Sequence, residues 1–306
     1  MTSASATPAA TTNAARPRKI WMDGHLVDPS EARVSVYDHG LLYGDGCFEG
    51  LRGYKGRIFK MGAHLRRFEE SAARIRLKLP YAHDALAKAM KDTMAACAMQ
   101  DCYIRLVATR GAGTLGLNPF TCPKPCVFIV VDTIQLYPHE LYRAGMKVIV
   151  AKRPRIPMEC LDPAIKSLNY LNNILAKIES IDAGCLEAIM LNTAGEVSER
   201  TGDNIFAIKG GRIATPPTSA GILHGITRQF VIDELAPALG IPVEERRMTL
   251  DDLYGADEVF LTGTAAEIIG VSAIGDRVIG AGRMGPLTER LEAEFRRRIL
   301  AGAPED

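Results

Sequence analysis

Two turn dipeptides, Asp23-Gly24 and Lys55-Gly56, constrain the fold most, because each sits between short β-prone segments. Glycine accepts the positive φ that a two-residue hairpin needs, so both sites predict tight antiparallel connections. Lys19–Met22 with His25–Val27 make the first hairpin, and Leu51–Tyr54 with Arg57–Lys60 the second. Helical periodicity follows over His64–Leu77 and Asp84–Met99, then strands over Cys102–Thr109 and Val127–Val131. Asp132–Gly145 reads as a connection. Beyond it the pattern predicts a strand at Met146–Ala151, a proline-rich loop and a long helix from Leu168 to Ala183. Leu168, Leu171, Leu175 and Ile178 form that helix's expected buried stripe. Two hairpin-like pairs (Ala188–Val197 and Asn204–Ala214), a helix (Ile226–Leu239), a strand (Glu258–Leu261) and a C-terminal helix complete the chain. The expected class is α/β: a small α+β domain over 18–136 and a larger β-rich domain over 137–306, after a disordered tail, 1–17.

Composition narrows the function. The 306 residues suit two domains, and 47% apolar with 24% charged residues is ordinary for a globular chain. A net charge of +1 offers no general attraction for nucleic acid or anionic lipid. Arg296-Arg297-Arg298 lies near Glu292 and Glu294 in a helical pattern, which reads as a solvated face. No apolar run is long enough to span a membrane, and the Ala/Thr/Ser/Pro-rich start lacks the apolar block of a signal peptide. Seven cysteines, an odd number, argue against a secreted disulfide framework. Cys122 and Cys126 are expected as free thiols, no Cys/His cluster suggests a metal site, and the expected location is the cytoplasm.

Lys166 stands between the proline-rich loop and the long helix, beside Ile165 and Leu168. Desolvation there would disfavour its ammonium form and free the amine to attack a carbonyl. Alone, it reads first as a surface lysine at a helix start. Its company changes the reading. Gly225-Ile226-Thr227-Arg228 opens a helix whose free N–H groups suit a phosphate. Gly263-Thr264-Ala265-Ala266 follows a strand with residues small enough for a ligand to approach the backbone. Glu199, before the Arg200–Asn204 turn, supplies a carboxylate able to hold a pyridine nitrogen protonated.

In their order and spacing these motifs resemble the class IV, or fold type IV, pyridoxal-phosphate aminotransferases, most of all the branched-chain amino-acid aminotransferases. The resemblance spans about Lys19 to Arg297 and rests on His39–Arg52 (with Tyr43, Phe48, Glu49 and Gly50), His64–Arg67, Tyr103-Ile104-Arg105, Lys166–Tyr170, Ser198–Phe206, Gly225–Arg228 and Gly263–Glu267. It implies that Lys166 carries pyridoxal 5′-phosphate as a Schiff base and moves the substrate's proton. Glu199 would bond the ring nitrogen, Tyr170 the 3′-oxygen, and Leu223 would pack on the ring. Arg67, Gly225, Ile226, Thr227 and Thr264 would surround the phosphate, with Asn204 in the same shell.

The same resemblance implies a pocket of Tyr43, Phe48, Gly50, Arg52, Tyr103, Arg105 and Tyr137, with Thr264 and Ala265. Tyr103 and the Thr264-Ala265 backbone would take the α-carboxylate. Arg105, with Tyr43 of the partner subunit, would take the distal carboxylate of L-glutamate, which implies a homodimer or higher assembly. The expected reaction passes the amino group of Leu, Ile or Val to 2-oxoglutarate. Alternatives on the same fold are a D-amino-acid or (R)-amine transaminase and an aminodeoxychorismate lyase. The first expects an Arg-x-His trap where this chain has Gly111–Pro119 without Arg or His. Three departures from the family pattern stand out. Arg200 replaces a usual glycine, Gly270 a usual proline in what reads as a loop, and Cys47 a usual aliphatic residue.

Overall fold

The computed structural model describes residues 18–134 and 137–302, so the expected tail, 1–17, lies outside the described residues. In chain order the elements begin β1 (Ile20–Met22), β2 (His25–Val27), α1 (His39–Tyr43), β3 (Gly46–Tyr54), β4 (Arg57–Ile58), α2 (Met61–Arg74), α3 (His83–Ala96), β5 (Cys102–Thr109) and β6 (Cys126–Asp132). They continue α4 (His139–Ala144), β7 (Met146–Val150), α5 (Leu171–Asp182), β8 (Glu187–Leu191), β9 (Val197–Arg200), β10 (Asn204–Lys209) and β11 (Arg212–Thr215). The rest are α6 (Ile226–Phe230), α7 (Ala236–Ala238), β12 (Val243–Glu245), α8 (Leu250–Tyr254), β13 (Glu258–Gly263), β14 (Glu267–Ile274), β15 (Arg277–Val278) and α9 (Pro286–Ala301).

Strands β1–β6 form one sheet in the order β2-β1-β6-β5-β3-β4, and the later strands form a second in the order β12-β11-β10-β13-β14-β7-β8-β9, with β15 on β14. Both turn dipeptides do what their φ values require: Asp23 and Gly24 lie at 48° and 100°, Lys55 and Gly56 at 49° and 80°. The register of β3 on β5 pairs Phe48 with Val107, Gly50 with Arg105 and Arg52 with Tyr103. Because side chains alternate across a strand, Cys47, Leu51, Ile104, Leu106 and Ala108 face the core under α2 and α3. The intervening residues face the other way, toward the second sheet.

Four expectations are corrected. The long helix starts at Leu171, and its buried residues are Asn173, Ala176 and Ser180. Its apolar stripe is turned outward: Leu171, Ile174, Ile178 and Ile181 are exposed. Periodicity identifies an apolar face but not what covers it. The connection at 132–145 holds a short helix, α4. Gly270 lies inside β14 rather than in a loop, where a Cβ would come within 2.9 Å of Met284 Cα. The helix expected over Ile226–Leu239 contains a π-helical turn, Val231–Leu235, just before Pro237, which has no N–H to give. Arg296, Arg297 and Arg298 pair with Glu292 and Glu294 on an exposed helix face, as expected.

Candidate active site

The pocket-facing side of β3 and β5 meets the end of the proline-rich loop. Phe48 N donates to Lys166 O (3.0 Å) and Leu168 N to Gly46 O (3.0 Å), so the Lys166 segment continues the small sheet's hydrogen bonding. Lys166 Nζ lies 3.2 Å from Tyr170 Oη and 4.6 Å from the Phe48 ring centre. A cavity of about 660 Å³ opens on one side of it, with Phe48, Gly50, Tyr103, Arg105, Tyr137, Tyr170, Thr264 and Ala265 in its walls. Val107, Ile134, Leu168 and Ile174 extend the apolar lining. Gly50 cannot carry a side chain here, since a Cβ would overlap the Tyr103 hydroxyl. The Arg105 guanidinium stacks over Phe48 (4.5 Å) and Tyr103 (5.3 Å), and burial pushes the Tyr103 phenol above its ordinary value.

A narrower cavity shares Lys166, Tyr170 and Thr264 with the first. Arg67 and Glu199 line it, as do Asn204, Leu223, Gly225, Ile226 and Thr227. It is therefore polar, with a cation and an anion facing the same space.

Arg67 is supplied by α2, and behind it Glu49 is fully buried. Glu49 accepts from Arg67 Nε (2.7 Å) and Nη2 (2.8 Å), and bonds His64 Nδ1 (2.7 Å). Burial alone would raise the Glu49 carboxyl, but Arg67 and His64 outweigh it and hold it well below the usual carboxylate range. Burial keeps His64 below its ordinary value despite Glu49. Arg67 Nη1 donates to His224 O (2.5 Å), leaving N–H donors on both terminal nitrogens for an anion.

Glu199, on β9, is 4% exposed. Its Oε2 accepts from Leu223 N (2.9 Å) and Asn204 Nδ2 (3.3 Å), and its Oε1 from Arg155 Nε (2.9 Å). Gly225 packs so closely on Asn204 that a Cβ would overlap the amide oxygen. Thr262 Oγ1, also lining this cavity, is buried with no protein partner. A phosphorylated pyridine aldehyde fits this donor set: cation and free N–H groups at one end, a carboxylate at the other, an amine and a phenol between.

The residues expected from the sequence divide in two. All those expected around a cofactor line the narrow cavity or both cavities. Of the expected pocket, Arg52 and Tyr43 line neither. Arg52 sits at the rim, 3.5 Å from Ala265 O and 3.8 Å from Glu267, where it braces the Thr264-Ala265 turn. Tyr43 is 36% exposed on α1, and its hydroxyl accepts from Gly116 N (3.0 Å). Tyr137 offers the cavity its ring, because its hydroxyl donates to Glu187 (3.0 Å), and burial pushes that phenol up to about 12. Arg200 neither enters the cavity nor meets solvent. It is fully buried between Glu187 and Asp203, its guanidinium 5.8 Å from the Tyr137 ring centre.

Glu49, His64, Arg155 and Asn173 receive no role from the sequence. The one signal for Glu49 is its charge amid the apolar Cys47–Leu51 segment. Among the described residues no cluster of His, Cys, Asp and Glu suits a metal ion, and no helix is long and apolar enough to cross a membrane.

The family model described as amino-transferase class IV matches residues 46–274. The chain is 46% identical over 278 residues to a Methanocaldococcus jannaschii protein whose naming as a branched-chain-amino-acid aminotransferase is itself provisional, covering 91% of this chain and 95% of that one. It is 36% identical over 281 residues to the branched-chain-amino-acid aminotransferase of Pseudomonas aeruginosa, covering 90% and 91%. Among solved structures, a branched-chain aminotransferase from the thermophilic archaeon Thermoproteus uzoniensis, with norvaline, superimposes with a TM-score of 0.87 at 38% identity, over 92% of this chain and 95% of that one. A bacterial (T.th.) branched-chain amino acid aminotransferase with pyridoxamine 5′-phosphate superimposes with a TM-score of 0.90, also at 38% identity, over 94% and 95%. Similarity of this extent, over the residues that build both cavities, shows that the chain belongs to the class IV aminotransferases.

Proposed function

We propose that this aminotransferase uses pyridoxal 5′-phosphate to pass the amino group of L-leucine, L-isoleucine or L-valine to 2-oxoglutarate. The observation that carries the reading is the placement of Lys166 Nζ where the two cavities meet, 3.2 Å from Tyr170 Oη. When bound, the cofactor supplies a carbonyl for the amino group and an electron-accepting ring. Arg67, the Ile226 and Thr227 amides and Thr264 hold its phosphate, with Gly225 leaving room. Glu199, steadied by Asn204, holds the ring nitrogen, Leu223 packs on the ring and Tyr170 bonds the 3′-oxygen. Lys166 is the attachment point and, once free, the base that moves the proton at the substrate's α-carbon.

The walls of the larger cavity support the substrate class. Phe48, Tyr103, Val107 and Ile174 suit a branched apolar side chain, while Arg105 meets the distal carboxylate of L-glutamate, so both amino donors use one pocket. Tyr103 and the Thr264-Ala265 backbone take the α-carboxylate. The names of the relatives agree with this class.

The outward stripe Leu171, Ile174, Ile178 and Ile181 supports a homodimer or larger assembly, because soluble chains seldom leave so contiguous an apolar surface in water. Tyr43, away from its own chain's cavities, then serves the partner's cavity. The seven cysteines are all free, which supports a reducing cytoplasm. The two sheets support two domains dividing at 136/137.

The test is an absorbance spectrum of the protein reconstituted with pyridoxal 5′-phosphate, before and after L-leucine, L-glutamate or D-alanine. The expected result is a visible band that converts to the pyridoxamine form with the two L-amino acids. Conversion by D-alanine alone moves the substrate class, and no band removes the cofactor.

A further inference from the structure

Two buried carboxylate–guanidinium pairs bracket the narrow cavity with opposite polarity. In the Glu49–Arg67 pair the cation faces the cavity and both side-on donors of the guanidinium are spent on the carboxylate. In the Arg155–Glu199 pair the anion faces the cavity and the arginine stands behind it.

Arg155 is 8% exposed and held on several sides. Its backbone N–H donates to Leu191 O (2.7 Å), and its Nη1 donates to Asn173 Oδ1 (3.1 Å) and, at 3.5 Å, to Asn172 Oδ1. Asn173 is fixed in turn by its donation to Thr201 O (2.8 Å), and Asn172 by its donation to Pro154 O (3.0 Å). The contact with Glu199 is through Nε alone. With Leu223 N and Asn204 Nδ2 on Oε2, the carboxylate has three donors and retains lone-pair capacity for one more. An ionised carboxylate at 4% exposure is costly without a counter-charge.

We infer that Arg155 is a positioning residue for the cofactor's ring nitrogen: it aims Glu199 and balances its charge while leaving one acceptor site open to the cavity. The inference rests on the ring-nitrogen role proposed above for Glu199. A bidentate grip, such as Glu49 has on Arg67, would occupy both oxygens; a single Nε contact does not.

The experiment compares equilibrium binding of pyridoxal 5′-phosphate and its deaza analogue, in which carbon replaces the ring nitrogen, to the apoprotein. No turnover is needed. The wild type is expected to prefer the natural cofactor by about tenfold or more, as for a charged hydrogen bond. Arg155→Gln and Arg155→Met lose that preference, Arg155→Lys keeps part of it, and Glu199→Gln abolishes it. A purely structural role for Arg155 would weaken both ligands equally and preserve the ratio, which overturns the inference. Loss of preference in Glu199→Gln with full preference in Arg155→Gln also overturns it and leaves the Glu199 role standing. Full preference in Glu199→Gln sinks both. Should neither neutral Arg155 variant fold, Arg155→Met combined with Glu199→Gln decides: recovery of the wild-type melting temperature supports the charge pairing, and continued unfolding refutes it.

Discussion

Replacing Glu49 with Gln removes a charge from the most buried polar cluster of the site without changing volume. Glu49 has no exposed surface and engages two nitrogens of Arg67 and one of His64 at 2.7–2.8 Å. A glutamine offers one acceptor oxygen and one amide nitrogen, so at least one of these donors then faces another donor. Breaking a buried ion pair by removing one partner costs about 3–5 kcal/mol. At roughly 2–4 °C per kcal/mol for a chain of this order, the apoprotein should melt about 10 °C lower. Because Arg67 loses its fixed direction, cofactor affinity should fall by about tenfold or more.

The effect has a pH signature. A carboxyl held below its unfolded value contributes stability that is present above that value and lost as pH falls through the folded one. The gap between wild type and variant should therefore persist at neutral pH and narrow only well below pH ~4. His64, held below its ordinary value of 6.5, has the opposite origin but the same slope. It stays neutral in the fold, so acid favours the unfolded chain as pH drops below about 6.5. Thermal unfolding of the apoprotein between pH 4 and 8, with equilibrium dialysis of pyridoxal 5′-phosphate, measures both. A melting temperature within about 2 °C of wild type at pH 7, with unchanged affinity, would refute the argument that Glu49 orients Arg67.

Two further outcomes follow from the site and the surface. Lys166→Ala should lose the visible cofactor band and measurable turnover while the apoprotein melts within a few degrees of wild type; near wild-type transamination by this variant would remove the role given to Lys166. Ile174→Glu with Ile178→Glu places charge on the outward stripe of α5 and should shift the mass seen by light scattering toward the monomer; an unchanged mass would mean that this face is not an interface.

Local signals are legible wherever a residue acts through its neighbours in sequence. The Asp23-Gly24 and Lys55-Gly56 hairpins depend on backbone angles at the turn itself, and Cys102–Thr109 is a strand at the residues its pattern marks. Lys166, Tyr170, Glu199 and the Gly225–Thr227 segment are legible because each belongs to a compact motif. β14 is not, since Gly270 and small residues imitate a loop when the close packing of Met284 is unknown. The direction of α5 is hidden because an apolar stripe looks the same whether its own chain or another covers it. Glu49 and Arg155 are silent for a different reason: their partners lie 18 and 44 residues away, and a charge becomes a positioning device only when the fold delivers its counterpart.

The backbone attachment of Lys166 to β3, through Phe48 N and Gly46 O, has an evolutionary consequence. The reacting amine is registered to the sheet whose side chains at 48, 50, 103, 105 and 107 shape the larger cavity. Those five positions can drift without displacing the main chain that carries the lysine. Substrate range and chemical competence are thus inherited as separable traits, and a lineage built on this scaffold can acquire new amino donors while the reacting centre stays fixed.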